Sequence, residues 1–237
     1  MVELNNNTIK CTNISKQFGF FFALKKISFE VRENTIYGIV GANGAGKTTL
    51  IKILCGLLRP TFGQLLIKGM NYEKRSNHIK EIIGTLIDTS FLYEELTLFE
   101  NLKFYANLYF NFENEIIKAK IEQFTELFNL KDWLFEPIRN LSKGMKQKVE
   151  IMRILMHNPS ILILDEPFTG LDFKSTELLI DLFKELKEKN NITMVITTHK
   201  IDVALQICDD LMILKRGKIN KYVSKEDYNK IKIKSYF

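Results

Sequence analysis

Among 237 residues there are three cysteines, four prolines and one tryptophan. The cysteines Cys11, Cys55 and Cys208 are odd in number and far apart. That spacing argues against a disulfide framework or a zinc site and favours small apolar core residues of a reducing compartment. With four prolines and 12 glycines the chain has no Pro/Gly/Ser-rich linker, and no repeat or low-complexity segment divides it. No apolar run approaches the roughly 18–20 residues needed to cross a bilayer. The longest, around Ile161–Leu164 and Leu211–Leu214, have strand length. The first residues, Met1-Val2-Glu3-Leu4-Asn5, lack a basic region followed by an apolar stretch, so no signal peptide is expected. Any contact with a membrane must then run through a partner or lie at the surface. An excess of one charge sign is also slight: 34 Lys and Arg against 28 Asp and Glu give +6, with a pI near 9.0. No basic block interleaves with aromatics, so nucleic acid is not expected as a partner. The Lys-rich stretch from Lys221 to Lys234 is a weak hint of an anionic membrane surface nearby.

What is present is an ordinary globular balance, 46% hydrophobic and 26% charged, enough to bury a sizeable core. Residues 8–40 alternate apolar and polar in short runs such as Ile27-Ser28-Phe29-Glu30-Val31, which predicts strands. Thr35–Val40 reads as a buried strand that stops at Gly41. After Lys47 the spacing of Leu50, Ile53, Leu54 and Leu57 predicts one apolar helix face, ended before Arg59-Pro60. Amphipathic helices are expected within 97–135, over Leu141–Met156 and over 175–189, and strands at Ile161–Leu164 and Thr193–Thr198. Alternating buried strands and helices imply an α/β fold: a mostly parallel sheet with helices on its faces. The helical stretch 90–155 interrupts the alternation and is expected to form a lobe inserted into one domain spanning 1–237.

Two motifs carry the chemistry. Gly41-Ala42-Asn43-Gly44-Ala45-Gly46-Lys47-Thr48 matches G-x-x-x-x-G-K-S/T in full, between a buried strand and an amphipathic helix. Its glycines let the backbone curl so that successive N–H groups face phosphate oxygens, and the helix N-terminus adds partial positive charge. Lys47 supplies a cation for β- and γ-phosphates, the Thr48 hydroxyl a ligand for Mg²⁺, and Thr49 continues the site. The second motif is Ile161-Leu162-Ile163-Leu164-Asp165-Glu166, a buried strand that ends in two carboxylates. Such a strand delivers its last residues to the sheet edge where the phosphate loop leaves. There Asp165 can hold Mg²⁺ and Glu166 can orient or deprotonate an attacking water.

With these in order, the chain resembles the ATP-binding subunits of ABC transporters over roughly residues 8–220. Leu141-Ser142-Lys143-Gly144-Met145 resembles a variant of the LSGGQ signature, Gly170-Leu171-Asp172 the D-loop, and His199 after a strand the switch histidine. Phe18 stands where the family places an aromatic that stacks on adenine, although Phe20, Phe21 and Phe22 follow it. The resemblance implies a P-loop NTPase with a RecA-like, mostly parallel core, an N-terminal antiparallel β region and an inserted helical lobe. It also implies a head-to-tail dimer of two ATP-binding subunits. In that dimer Ser142 and Gly144 meet the opposing γ-phosphate, His199 the γ-phosphate, and Asp172 the dimer contact, though a plain helix cap is an open alternative for Asp172.

Two departures from the family pattern stand out. Asp88 occupies the position of the Q-loop glutamine, where bacitracin-resistance and lantibiotic-immunity exporters carry Glu. It can ligate Mg²⁺ but cannot donate a hydrogen bond as an amide does. The Gly144-Met145-Lys146-Gln147 run resembles the same subfamily, while Lys143 replaces a small or apolar residue. The resemblance therefore implies an ATPase that energises a separate integral membrane permease exporting antimicrobial peptide, with the subunit cytoplasmic and peripheral on the inner face of the membrane. The alternative is a non-transport ABC ATPase such as an iron–sulfur assembly ATPase.

Overall fold

The computed structural model describes residues 7–72, 75–109 and 114–228. The stretch 229–234 of the Lys-rich tail therefore lies outside the described residues. In chain order the elements are β1 (Asn7–Phe18), β2 (Phe21–Arg32), β3 (Ile36–Val40), α1 (Lys47–Leu54), β4 (Phe62–Ile67), β5 (Met70–Asn71), α2 (Ser76–Ile82) and β6 (Ile83–Leu86). There follow α3 (Leu98–Tyr109), α4 (Asn114–Leu127), α5 (Lys143–Leu155), β7 (Ile161–Asp165), α6 (Phe173–Asn190), β8 (Thr193–Thr198), α7 (Ile201–Ile207), β9 (Asp210–Lys215) and β10 (Lys218–Ser224).

The chain divides into two compact units. One holds 1–88, 160–167 and 180–237, and the other holds 89–159 and 168–179. The expected helical lobe, 90–155, falls within the second. The first unit contains two sheets, as the α/β reading anticipated. One is antiparallel, in the order β2-β1-β4-β5. The other runs β10-β9-β3-β8-β7-β6, with every pair from β9 to β6 parallel and β10 antiparallel at its edge. All five residues of both β3 and β7 are buried, which is why each reads as an unbroken apolar run rather than an alternation. The core between the sheets and α1 draws on Ile9, Ile27, Ile39, Leu50, Ile163 and Met212, none more than marginally exposed. Cys11, Cys55 and Cys208 are free and buried, and burial pushes their thiols far above the usual range, as inert core residues require.

The α1 helix is shorter than its periodicity predicts. It ends at Leu54, not before Pro60, because Gly56 adopts a left-handed φ of +68° and turns the chain. Leu57, expected on the buried face, is 55% exposed as a result.

The second unit is built from α3, α4, α5 and the start of α6, around Leu98, Leu102, Ala106, Ile121, Val149 and Met152. A reciprocal capping box starts α3. The Glu100 carboxylate accepts from the Thr97 backbone N–H at 2.8 Å, and the Thr97 hydroxyl accepts from the Glu100 N–H at 3.1 Å. Buried Asn101 pins the preceding loop by donating to the carbonyls of Tyr93, Leu96 and Thr97. Glu150, also buried, accepts from Ser90 at 2.7 Å, from the Phe91 N–H at 2.8 Å and from Arg153 at 2.7 Å. The Arg153 guanidinium lies 5.2 Å from the Phe91 ring centre and 5.1 Å from that of Tyr105.

Candidate functional site

In the first unit β8 lies between β3 and β7, with Val40 paired to Thr198 and Asp165 to Thr197. The loop after β3 and the acidic pair at the end of β7 therefore emerge at the same carboxyl edge, one strand apart. Gly46 makes the turn into α1 possible. Its φ of +106° lies in the left-handed region, and a Cβ there would meet the Ala23 carbonyl at 2.8 Å. Ala42, Asn43 and Gly44 are exposed, whereas Gly41, Ala45 and Lys47 are buried. The Gly217 N–H donates to the Ala45 carbonyl at 2.9 Å and fixes the loop from β10's side. Lys47 Nζ donates to the Gly41 carbonyl at 2.8 Å and lies 3.6 Å from Glu166 Oε1, which places a desolvated cation at the centre of the loop.

Thr48 and Asp165 meet directly: the Thr48 hydroxyl donates to Asp165 Oδ2 at 2.7 Å. A hydroxyl and a carboxylate this close are hard oxygen donors of the kind Mg²⁺ takes from protein, leaving its other positions to water and phosphate. The pair thus fits the ion expected from the sequence. Asp88 is held differently. Its carboxylate pairs with Lys52 of α1 at 3.0 Å, and its side chain is 53% exposed. Among the described residues no three His, Cys, Asp or Glu side chains gather into a metal cluster.

Glu166 sits at φ +49°, a left-handed conformation that costs a residue with a Cβ about 1–2 kcal/mol. Two acceptors on Thr197 hold it there. The Glu166 N–H donates to the Thr197 hydroxyl oxygen at 2.9 Å and to the Thr197 carbonyl at 3.2 Å. The Thr197 hydroxyl in turn donates to Asp165 Oδ1. His199, which follows β8, has Nδ1 2.9 Å from Glu166 Oε2, and its backbone N–H donates to the same oxygen at 3.3 Å. Lys47, Thr48, Asp165, Glu166 and His199 are therefore one connected network. Sequence reading missed Thr197 entirely. The sequence offers no signal for it, since Thr197 is one of three threonines in a strand whose six residues are all buried. Phe18 ends β1 half exposed, with Lys16 Nζ 5.1 Å from its ring centre. Phe20 and Phe21, beside it, are more exposed still.

In the second unit Ser142 is the N-cap of α5, its hydroxyl accepting from the Met145 N–H at 3.3 Å. A Cβ on Gly144 would meet the Gly170 carbonyl at 2.9 Å, so glycine is what allows the start of α5 to approach the 170–172 turn this closely. The stem of Lys143 lies along Gly170. Asp172 caps α6: it accepts from the Ser175 N–H at 2.7 Å, and this bond holds its carboxyl below the ordinary aspartate value. The helix-cap alternative is thus realised within the chain.

The family model described as ABC transporter matches residues 24–169. The chain is 37% identical over 219 residues to the uncharacterized ABC transporter ATP-binding protein MJ1023 of Methanocaldococcus jannaschii, covering 92% of this chain and 78% of that one. It is 35% identical over 211 residues to the bacitracin transport ATP-binding protein BcrA of Bacillus licheniformis, covering 89% of this chain and 68% of that one. Its fold superposes with a TM-score of 0.85 on the ATP-binding cassette MJ0796, solved as a dimer in a post-hydrolysis state bound to ADP and Pi. The identity there is 27%, covering 92% of this chain and 98% of the cassette.

Proposed function

Because this chain belongs to the ABC transporter family, we propose that its ATP hydrolysis drives a separate integral membrane permease. The chain is an ATP-binding subunit and an ATPase. In our reading residues 1–237 work as one ATP-binding domain, peripheral on the inner face of the membrane. Among the described residues no helix is long and apolar enough to cross a bilayer.

The observation that carries the reading is the network at the carboxyl edge of the sheet: Thr48 to Asp165 at 2.7 Å, Glu166 to His199 at 2.9 Å, and Lys47 beside both loop and base. The phosphates of ATP sit in the loop 41–48, against its N–H groups and Lys47, with Phe18 under the adenine. Thr48 and Asp165 would hold Mg²⁺, which when bound neutralises charge on the β- and γ-phosphates. Glu166 takes a proton from the water whose oxygen attacks the γ-phosphorus, and ADP departs. His199 orients Glu166 and reaches toward the γ-phosphate. Ser142 and Gly144 of a second copy close over that phosphate, making a homodimer of two active sites.

For the permease contact the second unit offers a surface. Phe91, Tyr93, Phe104, Leu108 and Tyr109 are all exposed, with the rings of Tyr93 and Phe104 5.1 Å apart. Exposed apolar side chains of this kind suit a cytoplasmic helix of a membrane partner. For cargo we propose antimicrobial peptide export. The support is the acidic Asp88, the Gly144-Met145-Lys146-Gln147 run and the 35% identity to BcrA. To test the first part, the chain is tagged in its native cell and recovered from membranes in mild detergent. A stoichiometric polytopic membrane protein is expected, and recovery with soluble partners alone overturns the transport reading. For the cargo, loss of the chain should raise susceptibility to bacitracin or to a lantibiotic, and unchanged susceptibility to both refutes it.

A further inference from the structure

We infer that Thr197 is a positioning residue for hydrolysis: through one hydroxyl it sets the orientation of both Asp165 and Glu166. The inference rests on the roles proposed above for that pair.

Thr197 is fully buried on β8, directly opposite Asp165 of β7. A threonine hydroxyl has one proton to give and lone pairs to receive. Here both capacities are used, and on neighbouring residues. The proton goes to Asp165 Oδ1, and a lone pair receives the Glu166 N–H at 2.9 Å. With the Thr48 hydroxyl on Oδ2 at 2.7 Å, the Asp165 carboxylate is gripped at both oxygens, and its plane is fixed by two side chains from different elements. The Glu166 backbone is held in its left-handed conformation by the same residue, which supplies both acceptors of its N–H. That conformation aims the Glu166 carboxylate at Lys47 and His199. A β-branched hydrocarbon of the same shape would fill the space but leave Asp165 Oδ1 without this donor and the Glu166 N–H with the carbonyl alone. A buried network of this kind loses more than one bond when its central member is removed.

The experiment compares Thr197→Val, Thr197→Ser and Glu166→Gln for ATP turnover. Thr197→Val should lower kcat about 10-fold, with KM for ATP within about 2-fold of the parent, because orientation at the reacting end is lost while the phosphate loop is intact. Thr197→Ser, which keeps the hydroxyl and loses the methyl, should restore kcat to within about 2-fold. A purely packing role would give the opposite ranking, since valine preserves the shape and serine does not. Parental kcat in Thr197→Val, or a Thr197→Ser variant as slow as Thr197→Val, overturns the inference. Should Thr197→Val not fold, Thr197→Cys takes its place, and turnover in Thr197→Cys equal to that of Thr197→Ser overturns it. A Glu166→Gln variant with parental turnover would instead sink the underlying reading of the acidic pair, so the two failures are distinguishable.

Discussion

Replacing Lys47 with alanine probes the phosphate site at its centre. The Lys47 side chain is 7% exposed, and its ammonium donates to the Gly41 carbonyl at 2.8 Å and lies 3.6 Å from Glu166. It is thus a cation held against the carbonyls of the loop. A hydrogen bond to a charged group contributes about 1.5–3 kcal/mol. Since each 1.4 kcal/mol is a factor of ten in affinity, Lys47→Ala should weaken ATP binding by about 10- to 150-fold. The loss should fall on phosphate recognition, so the variant should discriminate poorly between ATP and adenosine, whereas the parent binds ATP far better. Isothermal titration with ATP, ADP and adenosine measures this, and a thermal melt of the unliganded variant separates lost binding from lost folding. ATP affinity within about 3-fold of the parent, in a variant that melts normally, would refute the assignment of the loop.

Two further changes test individual positions. Asp172→Ala removes the cap of α6 and should lower the melting temperature by about 2–4 °C at neutral pH. Because its bond to Ser175 holds the Asp172 carboxyl below the ordinary value of 3.8, the cap stabilises the fold above that pH and is lost as pH falls through the lowered value. The gap between parent and variant should therefore close in acid, and a gap independent of pH would contradict the capping role. Asp88→Gln cannot keep the ion pair with Lys52, yet Lys52 and Asp88 are both partly exposed, so ATP affinity should change less than about 3-fold. Coupling of turnover to the membrane partner should change instead, and unaltered coupling in reconstituted vesicles would count against a role for Asp88 there.

The elements most legible in the sequence were those in which local pattern and chemistry coincide. β3 and β7 are buried on both faces, so their unbroken apolar runs announced parallel central strands, and the glycine-rich loop and acidic pair sat at their ends. What stayed illegible depends on distant partners. Nothing around Thr197 marks it as the neighbour of Asp165; strand pairing does that. Lys52 and Asp88 are an ordinary surface pair until α1 and the end of β6 are placed together. The length of α1 was misjudged because periodicity carried on to Leu57, while Gly56, one residue earlier, supplied the left-handed turn that ends the helix. Asp172 looked like a contact for a second subunit, and its local use as a helix cap satisfies the same residue within the chain. Glu150, polar in an apolar helix stripe, becomes intelligible once Ser90, Phe91 and Arg153 surround it.

The most direct test of the account is steady-state phosphate release by the purified parent and its Glu166→Gln variant, with the association state of each followed in the presence of ATP. Glutamine keeps the size of Glu166 and removes its capacity to take a proton. The account predicts turnover reduced by about 10²-fold or more, ATP still bound, and the variant trapped as a dimer. A Glu166→Gln protein that remains monomeric with ATP and hydrolyses it at the parental rate would contradict both the base and the paired-subunit reading.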